Sequence, residues 1–368
     1  MSNLRFQYFC FLLICVILCC PRNSLGDTCL RPKHVALYVF GDSGHDAGNM
    51  NYINGSLSAF RANHWPYGQT FFKFPSGRFS DGRLVPDFIA EYGKLPLIKP
   101  YLHPGYRFYT DGANFASAGA GALSETRQGS VLDLKTQVIY YKKVHMLLRE
   151  ELGDEAAQSL VSRSVHLIST GANDYAVYIT NSTVLWSNSH QDYVSMVIGN
   201  ISSAIQDIYN MGGRKFGIRN VGPLGCSPSM RVLKGGAAGD CVEEATKIVK
   251  LHNNQLYKML IKLGNELQGF KYELTDYFTF LTELMNNPFK YGFKEGNVAC
   301  CGSGPYRGIP NCGLKIEGIE DHKLCANVND YVFFDYSHPT EKVNQKLSKL
   351  MWDGKGSGPY NLKALFEL

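Results

Sequence analysis

Short apolar runs closed by turn residues alternate with longer stretches of helical periodicity along most of the chain. His34–Phe40, Val165–Ser169, Lys215–Val221 and Phe270–Leu274 are apolar runs of strand length. The first ends in Gly41-Asp42-Ser43, the second in Thr170-Gly171-Ala172-Asn173-Asp174, and the third in Gly222-Pro223. Runs of this kind predict strands buried on both faces. Leu84–Tyr92, Leu134–Leu152, Asp192–Met211, Glu243–Leu267 and Thr340–Trp352 carry apolar residues at helical spacing. In the last of these, Val343, Leu347, Leu350 and Met351 form one stripe, and Thr340 stands at the N-cap position. The alternation predicts an α/β fold: a three-layer α/β/α sandwich whose central sheet is mainly parallel. Active sites in such sheets gather at the carboxyl ends of strands. Ser43 and Asn173 both stand just past a strand end.

The first 26 residues follow a different pattern. Arg5 precedes an apolar run from Tyr8 to Cys20, and Ser24 and Gly26 are small residues at −3 and −1 of a cut before Asp27. That is the layout of a signal peptide over 1–26. The run is about 13 residues, short of the ~20 that span a bilayer; the competing reading is a retained anchor. No later segment approaches a spanning length, so no integral membrane contact is expected. The remainder, 27–368, shows no linker, charge block or repeat and is expected to form a single domain. A net charge of +5 with dispersed Lys and Arg argues against a nucleic-acid partner.

Cysteine usage agrees with export. Of 11 cysteines, four fall in the leader and 7 follow it: Cys29, Cys226, Cys241, Cys300, Cys301, Cys312 and Cys325. In an oxidising compartment such cysteines form disulfides. Cys226 and Cys241 flank a Gly-rich loop and are expected to pair, and the Cys300–Cys325 group is expected to pair internally. A zinc cluster competes, but there is no C-x-x-C pair. Asn54, Asn181 and Asn200 each open a glycosylation sequon.

A serine hydroxyl needs a base, a group that orients the base, and donors for the oxyanion. Asp335-Tyr336-Ser337-His338 offers a carboxylate and an imidazole three residues apart. In a tight loop this spacing lets the carboxylate meet one ring nitrogen while the other faces the serine. Each piece alone is weak evidence: D-x-x-H often caps a loop, and Asn-Asp after a strand often marks a turn.

Taken together, four blocks resemble the plant GDSL-type esterase/lipase family within the SGNH hydrolases. Val39–Asn49 is similar to its nucleophile block, and Asn114–Gly121 to its oxyanion glycine block. Gly171–Asp174 resembles its asparagine block, and Phe334–Lys342 its acid-histidine block. They occur in the family's order. Ser76–Arg83, Cys300-Cys301-Gly302 and the tail Gly358–Leu368 also resemble its secreted pathogen-responsive lipase branch. The resemblance implies a flavodoxin-like SGNH fold and a secreted extracellular esterase of the apoplast or cell wall. It implies a catalytic triad of Ser43, Asp335 and His338, and an oxyanion hole from Ser43, Ala118, Gly119 and Asn173. The implied partner is a small-molecule or lipid ester, with no metal and no organic cofactor. The nucleophile-elbow pattern G-x-S-x-G is absent, since residues 41–45 end in His45, which argues against an α/β-hydrolase. Two positions depart from the family pattern: Gly44 replaces its usual leucine and Ala118 its usual oxyanion glycine. They keep open the alternative of a catalytically weak secreted defence or binding protein, and an acyltransferase on the same fold, which would use the same triad, is the other.

Overall fold

Leu37–Gly41 (β1), Gly112–Asn114 (β2), Val165–Ser169 (β3), Lys215–Arg219 (β4) and Lys271–Thr275 (β5) form one sheet in the computed structural model. Its order is β2-β1-β3-β4-β5, and every neighbouring pair is parallel. The structure describes residues 34–53, 60–181, 189–234 and 240–368. The 1–26 leader, Cys29 and the Asn54 sequon lie outside the described residues. Val35–Leu368 forms one compact unit.

The sheet is covered on both faces, which is why its strands read as unbroken apolar runs. Side chains alternate between faces with period two. Leu37, Val39, Val165 and Leu167 point to one face and pack against Val85 and Ile89 of helix Val85–Tyr92, Val343 and Leu347 of helix Glu341–Asp353, and Leu281 of helix Tyr277–Asn286. Their neighbours Tyr38, Phe40 and His166 point the other way and meet Tyr141 of helix Leu134–Leu152, at ring-centroid distances of 5.0, 5.5 and 5.4 Å. Aromatic pairs of this geometry add about 0.5–1.5 kcal/mol each beyond their buried area. The Tyr141 hydroxyl and His166 Nε2 are 2.8 Å apart, and burial pushes His166 down to about 3, so its ring is neutral at ordinary pH. The long helices His190–Asn210 and Glu243–Glu266 bury one stripe each, including Ile201, Ile205, Ile248 and Leu260.

Val165–Ser169 has the expected ends, and the other three expected strands are present with ends shifted by one to three residues. β2 was not foreseen: it is three residues, Gly-Ala-Asn, with no apolar run. Five helices also went unforeseen, over Asp154–Arg163, Ala172–Thr180, Pro228–Lys234, Tyr277–Asn286 and Leu362–Glu367. Thr340 occupies the expected N-cap position, but its hydroxyl donates to the Tyr331 carbonyl at 3.0 Å. Asp81 does the capping instead, accepting from the Glu341 amide at 2.8 Å.

The six described cysteines form the disulfides Cys226–Cys241, Cys300–Cys325 and Cys301–Cys312, as expected in place of a zinc cluster. Such links typically contribute about 2–4 kcal/mol each. No described helix is long and apolar enough to cross a membrane.

One buried group gives the fold a pH dependence. Glu273 of β5 is 1% exposed, and its Oε2 meets no partner among the described residues. Burial pushes its carboxyl up to about 8, against hydrogen bonds from the Thr275 hydroxyl and the Ile218 backbone. Between its ordinary 4.5 and about 8, the folded chain holds a proton that the unfolded chain has released. Stability therefore falls as pH rises through that window, by about 1.4 kcal/mol per unit, and levels off above it. Glu273→Gln removes this slope. Its gain in Tm over the wild type, followed by calorimetry, should be larger at pH 8 than at pH 5; equal gains would contradict the assignment.

Candidate active site

Ser43 sits at the point where the strand order reverses, just past β1, with β2 on one side and β3 on the other. This is where ligands bind in open α/β sheets. Gly41 makes the exit turn with φ +133, and a Cβ there would lie 2.0 Å from the Ser169 carbonyl oxygen. Only glycine fits such a position. The turn then winds around Asp42, whose carbonyl accepts the His45 and Asp46 amides, both at 3.0 Å, and whose carboxylate accepts the Gly44 amide at 3.0 Å. Buried Gln137 grips Gly41 from helix Leu134–Leu152, taking its N–H at 2.8 Å and donating to its carbonyl at 2.9 Å. The Ser43 N–H is left without an acceptor among the described residues.

The acid-histidine loop follows the short strand Tyr331–Phe333 and is closed by the Phe334 amide donating to the His338 carbonyl at 2.8 Å. Asp335 organises it. Its Oδ1 accepts the Ser337 and His338 amides at 2.9 and 2.8 Å, an Asx-type turn. Its two oxygens lie 2.8 and 2.9 Å from His338 Nδ1, and the Tyr67 hydroxyl donates to Oδ2 at 2.7 Å. Burial raises the Asp335 carboxyl, but the His338 charge and the hydrogen bonds from His338, Ser337 and Tyr67 outweigh it and hold the group below its usual value. A carboxylate on Nδ1 fixes that nitrogen as the donor. Nε2 is then the acceptor facing the Ser43 hydroxyl, 2.7 Å away. Ser43, Asp335 and His338 are thus brought together across nearly 300 residues of sequence.

Asn173 lies in the first turn of helix Ala172–Thr180, directly after β3. Its Nδ2 donates to the Ala120 carbonyl at 2.9 Å, and its Oδ1 accepts from Arg127 Nη1 at 2.5 Å. The same Arg127 nitrogen donates to the Gly119 carbonyl at 3.1 Å. Arg127 therefore sets which way the Asn173 amide faces, with one Nδ2 hydrogen on Ala120 and the other left for a ligand.

The two amides expected in the oxyanion hole separate here. The Ala118 N–H is committed to Asp46 Oδ2 at 2.9 Å, so it is not available to a substrate oxygen. The Gly119 N–H, in the left-handed region at φ +83, has no acceptor among the described residues and borders the cavity. Of these two expected donors, only the Gly119 amide is open to the cavity. Asp46 also accepts the Gly48 and Asn49 amides, both at 2.7 Å, and burial raises its carboxyl to about 6.

Ser43, Gly119, Asn173 and His338 line one cavity of about 560 Å³, together with apolar residues such as Phe60, Val177 and Met230. That is the size of a small-molecule site. Arg127 and Arg219 line it as well. Neither was singled out from the sequence, nor were Tyr67, Asp46 and Gln137. The one sequence signal was Gly44, since a Cβ there would lie 2.5 Å from Arg219 Nη2. Of the sequon asparagines, Asn181 is exposed at the end of helix Ala172–Thr180. Asn200 is exposed within helix His190–Asn210, its Nδ2 on the Met196 carbonyl at 2.9 Å.

A family model described as GDSL-like lipase/acylhydrolase matches residues 37–351. GDSL esterase/lipase 1 of Arabidopsis thaliana is 50% identical over 351 residues, covering 94% of each chain. A GDSL lipase of Tanacetum cinerariifolium is 45% identical, covering 97% of this chain and 94% of its own. A more distant Arabidopsis relative, 33% identical over 90% of this chain and 75% of its own, is named inactive GDSL esterase/lipase-like protein 25.

The Asp46 clasp can be tested on the folded chain alone. Asp46→Ala leaves the Ala118, Gly48 and Asn49 amides without their acceptor. Each buried unsatisfied donor costs about 1–3 kcal/mol, so a loss of at least ~2 kcal/mol is expected in denaturant unfolding. A loss below ~0.5 kcal/mol would show that the clasp holds nothing.

Proposed function

The chain belongs to the GDSL-like lipase/acylhydrolase family, and from that premise we propose that it is a serine esterase acting through Ser43, His338 and Asp335. The observation that carries the reading is the relay itself: Ser43 Oγ at 2.7 Å from His338 Nε2, and Asp335 on the opposite ring nitrogen. Ser43 Oγ attacks the ester carbonyl carbon while His338 Nε2 takes its proton, and Asp335 stabilises the imidazolium. The oxyanion is held by the N–H groups of Ser43 and Gly119 and by the free Nδ2 hydrogen of Asn173. Collapse breaks the carbon–oxygen bond, His338 returns the proton to the leaving alkoxide, and an acyl-Ser43 ester remains. Water, deprotonated by His338, then releases the acid and restores Ser43.

Neither departure from the family pattern touches a reacting atom. Ala118 spends its amide on Asp46. Gly44 lies in a turn already gripped by Asp42 and Gln137. These facts support hydrolysis over a purely binding role. Export follows from the 1–26 leader, and the three disulfides suit an extracellular site. The exported chain, residues 27–368, is read as one domain, with glycans at the sequon asparagines. A role in defence rests on the similarity to the pathogen-responsive branch.

Ser43→Ala and His338→Ala should each abolish most hydrolysis of p-nitrophenyl esters, and the double variant should lose little more, since groups acting as one unit are non-additive. An organophosphate should label Ser43 alone. Asn173→Ala should lower kcat by about 100- to 1000-fold. Arg127→Met should lower it less, and should add little on top of Asn173→Ala. Wild-type rates in folded Ser43→Ala protein would end this reading. For export, N-terminal sequencing of the secreted protein should begin near Asp27; an intact Met1 on the exported chain would contradict it.

A further inference from the structure

Arg219, the last residue of β4, presents a buried guanidinium to the cavity that contains Ser43. It is 8% exposed. Its Nε donates to the Ser169 hydroxyl at 2.8 Å, and its Cζ lies 4.7 Å from the centre of the Tyr277 ring. Its only carboxylate neighbour among the described residues, Asp42, is 4.0 Å from Nη2, beyond hydrogen-bond reach, and that Asp42 oxygen already accepts the Gly44 amide. A guanidinium carries five N–H donors. Four of them, on Nη1 and Nη2, meet no acceptor among the described residues. Neither nitrogen is sealed from the cavity that Arg219 lines, so an anion there can accept from both and gain two charge-assisted hydrogen bonds.

The surroundings keep this guanidinium open to the cavity. A Cβ on Gly44 would lie 2.5 Å from Nη2 and 3.3 Å from both Cζ and Nη1. The backbone of Gly44 is outside the left-handed region, so what glycine provides there is space for this guanidinium rather than conformation. Residue 44 directly follows the nucleophile, and consecutive Cα atoms are about 3.8 Å apart. The guanidinium therefore lies beside the residue that follows Ser43 and lines the same cavity. Apart from the His338 relay, the charged groups lining the cavity are two cations, Arg127 and Arg219, and one carboxylate, Asp42.

We propose that Arg219 is an anion-recognition residue, and that the preferred substrate is an ester whose acyl part carries a carboxylate or phosphate-type group a few carbons from the scissile carbonyl. The acyl part is assigned because it stays bonded to Ser43 through both steps, and a buried cation suits what stays rather than the alcohol that departs. The inference rests on Ser43 being the nucleophile of this cavity.

The test uses p-nitrophenyl esters of matched acyl length ending in carboxylate (glutarate), phosphonate (4-phosphonobutyrate) or methyl (valerate). Wild-type enzyme should favour at least one charged ester over valerate in kcat/KM; which one it favours names the anion. Arg219→Gln should cut the charged-to-neutral ratio by about 10- to 100-fold, chiefly through KM, the scale of a lost charge-assisted hydrogen bond. Arg219→Lys should retain part of it. No preference for either charged ester in the wild type overturns the proposal without any variant, as does a ratio unchanged by Arg219→Gln in folded protein. Calorimetric binding of mono-p-nitrophenyl glutarate and its phosphonate counterpart to Ser43→Ala protein separates this inference from the esterase reading. Binding that Arg219→Gln removes, in a chain whose wild type turns over no ester, keeps the anion site and sinks the esterase. Binding indifferent to Arg219 sinks the anion site.

Discussion

The segment from Phe115 to Arg127 brings the open Gly119 amide to the cavity yet contains no helix or strand, so its shape depends on two buried carboxylates that grip it from either end. Asp46 accepts the Ala118 amide. Asp174 accepts the Ala122 and Leu123 amides at 2.9 and 3.0 Å and the Thr126 hydroxyl at 2.6 Å. A carboxylate suits this role because it is all acceptor, with about four lone-pair sites, and satisfies several backbone amides that no sheet or helix partner can reach. Burial raises both carboxyls to about 6, and the amides that each accepts work against that rise. Each anchor also stands beside a residue that lines the cavity: Asp46 is three residues after Ser43, and Asp174 directly follows Asn173. The turn that presents each of these side chains is therefore also the turn that hangs the loop. Ser43, Asn173 and the Gly119 amide are held in one frame and do not shift independently.

Arg127 completes that frame from inside the loop. Its backbone is left-handed at φ 53, a conformation that costs a residue with a Cβ about 1–2 kcal/mol. Its side chain ties the Gly119 carbonyl to the Asn173 amide. Turning the Gly119 carbonyl toward the guanidinium constrains the peptide planes around it, and the same cation fixes the orientation of Asn173. Burial pulls Arg127 below its usual pKa, with Tyr336, Asp174 and Asp42 acting against the shift. A guanidinium remains charged under such conditions where an ammonium would more readily lose its proton.

The sandwich and the relay were legible in the sequence for a common reason: both rest on local pattern. Val165–Ser169 is an unbroken apolar run between polar ends, and it became β3 without a shift. Asp335 and His338 are close in sequence, so their contact needed only a tight loop. β2 was hidden because an edge strand of three small residues has no hydrophobic period to detect. Helix Ala172–Thr180 was hidden because Ala-Asn-Asp begins it, and those residues taken alone favour a turn. Tyr67 meets Asp335 across 268 residues of sequence, and Arg219 meets Ser169 across 50. Nothing local marks either one. Ala118 shows the converse: the sequence places both adjacent amides in one block, but which of them is free depends on a carboxylate more than 70 residues away.

Gly44 shows how a departure from a family pattern changes meaning once its surroundings are known. Read as a sequence, a glycine beside the nucleophile implies a looser turn. The turn, however, is held by hydrogen bonds from Asp42 and Gln137, none of which involves a side chain at 44. What the missing side chain changes is volume, and the volume is taken by the Arg219 guanidinium. Any side chain at 44 would have to displace this guanidinium, so glycine there exchanges side-chain bulk for a cation beside Ser43. That exchange leaves the relay intact, because His338 is oriented by Asp335, Tyr67 and the Phe79 ring, 4.7 Å away, on other parts of the chain. The Ser43–His338–Asp335 hydrogen bonds and the Gly44–Arg219 contact are therefore physically separate, and Arg219 shares no hydrogen bond with the relay.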